Sequence, residues 1–377
     1  MSSHKNVVCA LSFLFAALAN AQTPPPAPPA APDVLVLKNG EKVIGQLQNA
    51  TSSAVTFKSD GFGEITVDWS KVAELKTSQR FAAIPAGVRI KDSSDQTKVP
   101  VGTVSASDKD VELSPAAAPA PAQTLPVSSI SNLIQEQAFQ KALEPKNFFR
   151  GWDGGVTIGV LVTQATQNSQ SYSGSLNLTR IVPNETWLDQ RSRTAININQ
   201  AYGEVNEPGT PTIKTSLVHG DIGESWYLSP RFFILASAAF DHSYSQGLDL
   251  QQNYGGGIGF VLIKSALQEL DVTATVNYID QRFADSSLDQ NLIGSSFGES
   301  YIRKLPRKIV LTEAGTFTPA WNNTNAYSAV GNASLTFPVY HRLGFSFAAL
   351  DNFINNPPPG FKKNSFQVSV GATYAFR

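Results

Sequence analysis

From residue 154 to the C-terminus, apolar and polar positions alternate with a period of two. Val156, Ile158, Val160 and Val162 share one face of a segment whose other face is mostly Gly155, Thr157, Gly159 and Thr163. The same split sets Val272, Ala274, Val276 and Tyr278 against Thr273, Thr275 and Asn277. It sets Tyr327, Ala329, Ala333, Leu335 and Phe337 against Ser328, Asn332, Ser334 and Thr336, and Phe366, Val368, Val370, Ala372, Tyr374 and Phe376 against Gln367, Ser369, Gly371 and Thr373. Successive side chains of a strand point to opposite faces, so these segments predict about twelve antiparallel strands, each with one apolar face.

Alternation alone does not say which face meets water. Three further features place the apolar face outward, in lipid. Connections near Pro183-Asn184, Ser229-Pro230, Ser265-Ala266, Pro306-Arg307 and Tyr340-His341 read as tight, whereas those near 206–212, 245–248, 284–287 and 355–360 read as mostly longer, the asymmetry of bacterial barrels. The polar faces are small and uncharged, and aromatic residues such as Trp187, Trp226, Tyr227, Phe232, Phe233, Phe337 and Tyr340 gather near segment ends, as in interfacial girdles. The segments also exceed the roughly 9–11 residues a tilted strand needs to cross a bilayer. The expectation is an all-β fold in which residues 151–377 close into a transmembrane barrel.

A different pattern precedes it. Short β-type runs at 34–37, 43–47, 55–58, 64–67 and 72–75, with Asn39-Gly40 as a hairpin turn, predict a small module over 33–80. A second copy is expected over 86–133: Val88-Arg89-Ile90 matches the first run, Val101-Gly102-Thr103-Val104 matches Ile44-Gly45-Gln46-Leu47, and Val111-Glu112-Leu113 matches Val55-Thr56-Phe57. Leu125, Val127, Ile130 and Leu133 repeat the spacing of Val67, Trp69, Val72 and Leu75, with an Ala/Pro insertion at 115–121 assigned to a loop. Apolar positions at Leu133, Ile134, Ala138, Ala142 and Leu143 predict one amphipathic helix from Ser131, stopped by Pro145, within a connector over 131–150.

At the N-terminus, a basic His4-Lys5, an apolar run from Val7 to Leu18 and Ala19-Asn20-Ala21 fit a signal peptide over 1–21, cleaved after Ala21. The Pro/Ala stretch over 22–32 reads as an extended linker. Cys9 is the only cysteine and leaves with the signal, which excludes disulfides and thiolate metal sites from the exported chain. With 29 basic and 30 acidic residues and a net charge of -1, the chain offers no field for nucleic acid.

The region from Trp152-x-Gly154-Gly155 through Ser173-Gly174-Ser175-Leu176-Asn177-Leu178-Thr179-Arg180 and Asn253-Tyr254-Gly255-Gly256-Gly257-Ile258-Gly259 resembles the outer-membrane family catalogued as domain of unknown function 481, some of whose members are called salt-induced outer membrane proteins. The resemblance implies a barrel and no activity; small N-terminal β modules often accompany such barrels. The modules resemble SH3-like or Sm-like small barrels through Val36-Leu37-Lys38-Asn39-Gly40 and Gly45, and the last strand, ending Tyr374-x-Phe376 before Arg377, resembles the signal read by the outer-membrane assembly machinery.

Candidate chemistry is sparse. If Ser229-Pro230 joins paired strands, register brings His219 beside Asp241, and His219, Asp221, Asp241 and Ser243 all face the lumen. That set could be arranged as a hydrolase site, yet G-x-S-x-G is absent and polar groups hydrogen-bonded across strands are the simpler reading. Glu299, Glu313 and Arg303 read as a lumen charge network, Tyr254 to Gly259 as close strand packing rather than a phosphate loop, and Trp69 as core packing rather than a ligand-stacking surface. No catalytic residue, cofactor or metal is assigned. The expected protein is a non-enzymatic barrel in the outer membrane of a Gram-negative bacterium, structural or stress-related. Its modules lie in the periplasm, and its partners are outer-membrane lipid, the assembly machinery and either a periplasmic protein or peptidoglycan. The alternatives are a narrow channel for small solutes and, third, a lipid hydrolase.

Overall fold

A computed structural model describes residues 31–115, 121–144, 147–164, 168–185, 187–206 and 212–376. The expected signal peptide with Cys9, most of the Pro/Ala linker, the centre of the 115–121 insertion and Arg377 lie outside the described residues.

The N-terminal part contains β1 (Asp33–Leu37), β2 (Lys42–Thr51), β3 (Ala54–Ser59), β4 (Gly63–Asp68), β5 (Val72–Pro85), β6 (Val101–Ala106), β7 (Asp110–Ser114), β8 (Gln123–Pro126), β9 (Ile130–Gln135) and one helix, α1 (Glu136–Leu143). The two predicted copies merge into one sheet of order β4-β3-β2-β1-β5-β6-β7-β8, with β9 pairing both β2 and β5. One core serves both: Leu35, Phe57, Val72 and Leu75 pack with Val104, Leu113, Ile130 and Leu133. The internal repeat is nonetheless visible in three dimensions. Short 3-10 turns at Trp69–Lys71 and Val127–Ser129 follow β4 and β8, and each buries its first residue. Trp69 is held as a core residue, its indole nitrogen donating to the Thr51 carbonyl at 2.7 Å.

Two expectations change here. Val88-Arg89-Ile90 is not a strand; β5 runs on to Pro85 and pairs with β6 through Arg80, Phe81 and Ala82, so the second copy takes its first strand from the first. Pro85 then lacks the donor a continued ladder needs, and Gly87 turns the chain at φ +79. The helix also starts five residues later than predicted, at Glu136 instead of Ser131. Leu133 and Ile134 lie in β9, where pairing to β2 and β5 buries both faces.

The rest of the chain is a closed barrel of twelve antiparallel strands: β10 (Trp152–Gln164), β11 (Asn168–Val182), β12 (Ser192–Asn206), β13 (Ile213–Tyr227), β14 (Phe232–Ser243), β15 (Leu248–Lys264), β16 (Gln268–Phe283), β17 (Gln290–Lys304), β18 (Val310–Pro319), β19 (Tyr327–Tyr340), β20 (Leu343–Ile354) and β21 (Asn364–Phe376), with β21 closing on β10. The alternation behaves as predicted. Ile158 and Val368 stand outward at 62% and 67% exposure, as do Val160, Ile258, Val276, Phe345 and Val370, whereas Thr275, Asn277, Ser296 and Ser346 are buried inward. A soluble surface does not carry so many apolar side chains in rows around a barrel, and hydrocarbon is the solvent that suits them. Every strand has a neighbour on both sides, the seam between β10 and β21 pairing Gly154–Ile158 with Ala372–Phe376, so no strand stands as a free edge in lipid.

The ends of β10 and β21 define a terminal end of the barrel, shared by the connections at 183–191, 228–231, 265–267, 305–309 and 341–342. The first of these is long, not tight as Pro183-Asn184 suggested. It packs on the N-terminal sheet, where Leu188 is buried in a second core with Ile90, Phe139 and Leu143.

Candidate lumen site

Inward side chains make three layers of contacts in the lumen, two along β12–β17 and a third between the β14–β15 turn and β20. The middle layer is a hydrogen-bonded belt. Asn197 donates to Asp221 at 2.9 Å, and the two ring nitrogens of His219 lie 3.1 Å from Asp221 and 2.7 Å from Asp241. Gln251 donates to Asp241 at 3.2 Å, Gln281 to Gln251 at 2.6 Å, Gln290 to Gln281 at 2.7 Å, and Asn323 to Gln290 at 3.1 Å. Apart from the His219–Asp221 contact, which lies within β13, the strand-to-strand steps follow from antiparallel register, which sets these positions opposite one another: Asn197 faces Asp221, His219 faces Asp241, and Asp241 faces Gln251.

The structure therefore brings His219, Asp221 and Asp241 together. Ser243 lies on the same strand face, fully buried, with Ser245 Oγ at 3.4 Å, and it is not a partner of the histidine. Both imidazole nitrogens are taken by carboxylates, so neither is free to accept a proton from a serine hydroxyl, which a serine hydrolase needs. The belt satisfies buried polar groups; its members are one another's partners.

The layer at the terminal end was not legible beforehand. Arg193 of β12 lies 3.1 Å from Glu269 and forms an ion pair with buried Asp271, both on β16. β13, β14 and β15 separate those strands in the wall, so the pair crosses the interior. The guanidinium centre stands 5.6 Å from the Phe233 ring and 5.9 Å from that of Tyr227, and these rings pack with Val261 as an apolar floor. Gly259 leaves the space for Phe233: a Cβ there would come within 2.2 Å of the ring. Gly257 is equally constrained, its virtual Cβ 2.0 Å from the Ala274 carbonyl oxygen. The glycine-rich run of β15 is thus a close-packing device.

At the far end, the turn between β14 and β15 folds across the mouth. Gln246 is fully buried and donates to the carbonyls of Asn352 at 3.0 Å and Lys363 at 2.9 Å, on the β20–β21 side. Beneath it, Leu248 and Phe283 meet Ile354 of β20. Sequence reading missed Arg193, Glu269, Asp271 and Gln246; a charged residue on an otherwise small polar strand face was the available signal for the first three.

The expected lumen network of Glu299, Glu313 and Arg303 is corrected. Register pairs Glu299 with Val272 and Gly315, and Tyr301 with Glu313, which puts both carboxylates on the outward face with Phe297 and Phe317. Glu299 borders a shallow outer groove of about 540 Å³ that also includes Gly315, Gly331 and Asp351. The misreading arose because alternation on β17 carries a charge at an apolar position. Arg303 pairs with Leu311 and faces outward too.

No helix among the described residues is long and apolar enough to cross a membrane, and none of their His, Asp and Glu side chains group as metal ligands. Crossing is by strands, and the protein is an outer-membrane β-barrel carrying a docked small β-sheet.

More narrowly, the chain belongs to the family described as Protein of unknown function, DUF481, which matches residues 156–376. No curated protein matches it. Among solved structures it is similar to an outer membrane channel from Pseudomonas putida F1, at 12% identity over 62% of this chain and 100% of that one, with a TM-score of 0.34. It is also similar to the translocator domain of the autotransporter NalP from Neisseria meningitidis, at 10% identity over 63% of this chain and 92% of that one, with a TM-score of 0.33. Likeness at that level carries no argument about function, and no enzyme family is indicated.

Proposed function

We propose that the protein is a non-enzymatic outer-membrane scaffold of a Gram-negative envelope. Its barrel is sealed by its own side chains and holds the small β-sheet in the periplasm for a structural or stress-related role. The observation that carries this reading is bridging at both ends of the lumen: Arg193 to Asp271 and Glu269 at one, Gln246 to the opposite wall at the other. A twelve-strand ring encloses either packed side chains or a thin water path, and these bridges favour the first. In planar bilayers the wild-type protein is then silent, whereas Arg193→Ala combined with Gln246→Ala, which removes the bridge at each end, gives steady single-channel steps. Steady steps from the wild type would refute the sealed barrel.

A narrow channel for small solutes is the second reading. It is favoured by the opposite wall, where Thr157, Ser173, Ser175, Asn177 and Thr373 present small uncharged groups to the lumen and Asn177 remains exposed. For the sheet, a periplasmic protein or peptidoglycan is the proposed contact; co-purification with peptidoglycan after mild detergent extraction tests the latter.

A further inference from the structure

The connection 183–191 belongs to two structures at once. Its Trp187 stacks on Phe139 of α1 with ring centroids 5.9 Å apart, and Leu188 is buried in the same core. Asp189 accepts from Arg89 Nε at 2.7 Å, and the same guanidinium donates to the Leu228 carbonyl at 3.2 Å, in the turn between β13 and β14. Two residues after Asp189 the Arg191 carbonyl accepts from Tyr227 N at 2.8 Å, and two residues after that stands Arg193, the lumen bridge. The four-residue step from Asp189 to Arg193 spans at most roughly 14 Å of extended chain. A second covalent path runs through Leu228, which takes the Arg89 contact, to Tyr227, whose ring faces Arg193. Clamp and bridge are therefore tied at two places, with no slack segment between them.

We infer that the docked N-terminal sheet is a latch on the lumen: seated against Trp187, Leu188 and Asp189 it holds Arg193 on Asp271, and its release lets the bridge part. The inference rests on the reading of a sealed barrel. Rigid, packed contacts switch between discrete arrangements rather than stretching, and coupling of this kind is reciprocal. A periplasmic ligand that prefers the released sheet frees the terminal end of the lumen, and breaking the bridge loosens the sheet.

The test uses the full chain reconstituted in planar bilayers, with limited proteolysis of the connector after Leu143 reporting whether the sheet is docked. In a Gln246→Ala background, which removes the far bridge, the double variant Arg89→Ala with Trp187→Ala is expected to speed connector cleavage about 5- to 150-fold and to turn a silent membrane into one with the step size of Arg193→Ala combined with Gln246→Ala. Arg193→Ala in turn is expected to speed connector cleavage. Faster cleavage with a silent membrane, while Arg193→Ala combined with Gln246→Ala conducts, overturns the latch and leaves the sealed barrel standing. A conducting wild type, or a silent Arg193→Ala combined with Gln246→Ala, removes the barrel sealed by these bridges and the latch with it. Should the double variant stay docked, Asp189→Arg sets like charges face to face at the clamp, and the same outcomes decide.

Discussion

One half-buried arginine ties two strands of the barrel together across its interior. Arg193 has left water, so its stabilising effect depends on Asp271, Glu269 and the two aromatic rings being in place. Arg193→Met leaves Asp271 without its cation and is expected to destabilise the barrel by about 3–5 kcal/mol. Adding Asp271→Leu should recover part of that loss, since a pair replaced together leaves fewer buried charges unmatched. Urea unfolding in detergent micelles measures both. At Gly259, substitution by Val drives a methyl into the Phe233 ring and should cost about 1–3 kcal/mol by the same assay. His219 was found from the sequence because hairpin register around Ser229-Pro230 fixes its neighbour. Arg193 was not, because its partners come from a strand four places along the wall, and pairing of adjacent strands says nothing about who meets across a lumen.

Among the elements, the repeat in the small sheet is the clearest case of local pattern predicting structure. Gly45 of β2 and Gly102 of β6 occupy equivalent places: a Cβ would lie 2.1 Å from the Lys58 carbonyl oxygen in one and 2.5 Å from that of Ser114 in the other. Gly45→Val is therefore expected to part β2 from β3, and Gly102→Val to part β6 from β7. Hydrogen exchange should show β3 amides losing protection in the first variant and β7 amides in the second; protection unchanged in both would mean that the strands tolerate the side chain. Strand existence was legible because each run is short, β-branched and bounded by turn residues. The single long β5, serving both copies, was not, because a strand that pairs with β1, β6 and β9 has no sequence mark beyond its length. The late start of α1 has the same origin: Leu133 and Ile134 suit a helix face by spacing, and pairing with β2 and β5 overrides that preference.

On the scale of the whole molecule, the outward rows of Val, Ile, Phe and Tyr make the protein dependent on an amphiphile. Removed from detergent without lipid, the chain is expected to aggregate, and light scattering during detergent dilution checks this; a compact monomer in plain buffer would contradict the placement in a membrane. In the part of β17 and β18 toward the terminal end, the barrel carries Glu299 and Glu313 outward among apolar side chains, where acids are unfavourable in lipid. Glu313→Leu is accordingly expected to stabilise the barrel in the same urea assay. Period-two alternation by itself determined that the segments from β10 to β21 form strands with one apolar face, because side-chain direction along a strand depends only on the parity of position. It also determined, through turn residues, roughly where those strands end. Only the tertiary structure decided that the lumen is bridged at both ends, that two small modules are one sheet, and that this sheet is clamped to the barrel. These features depend on contacts between residues far apart in sequence, which arise from closure of the ring and leave no periodicity in the chain to read.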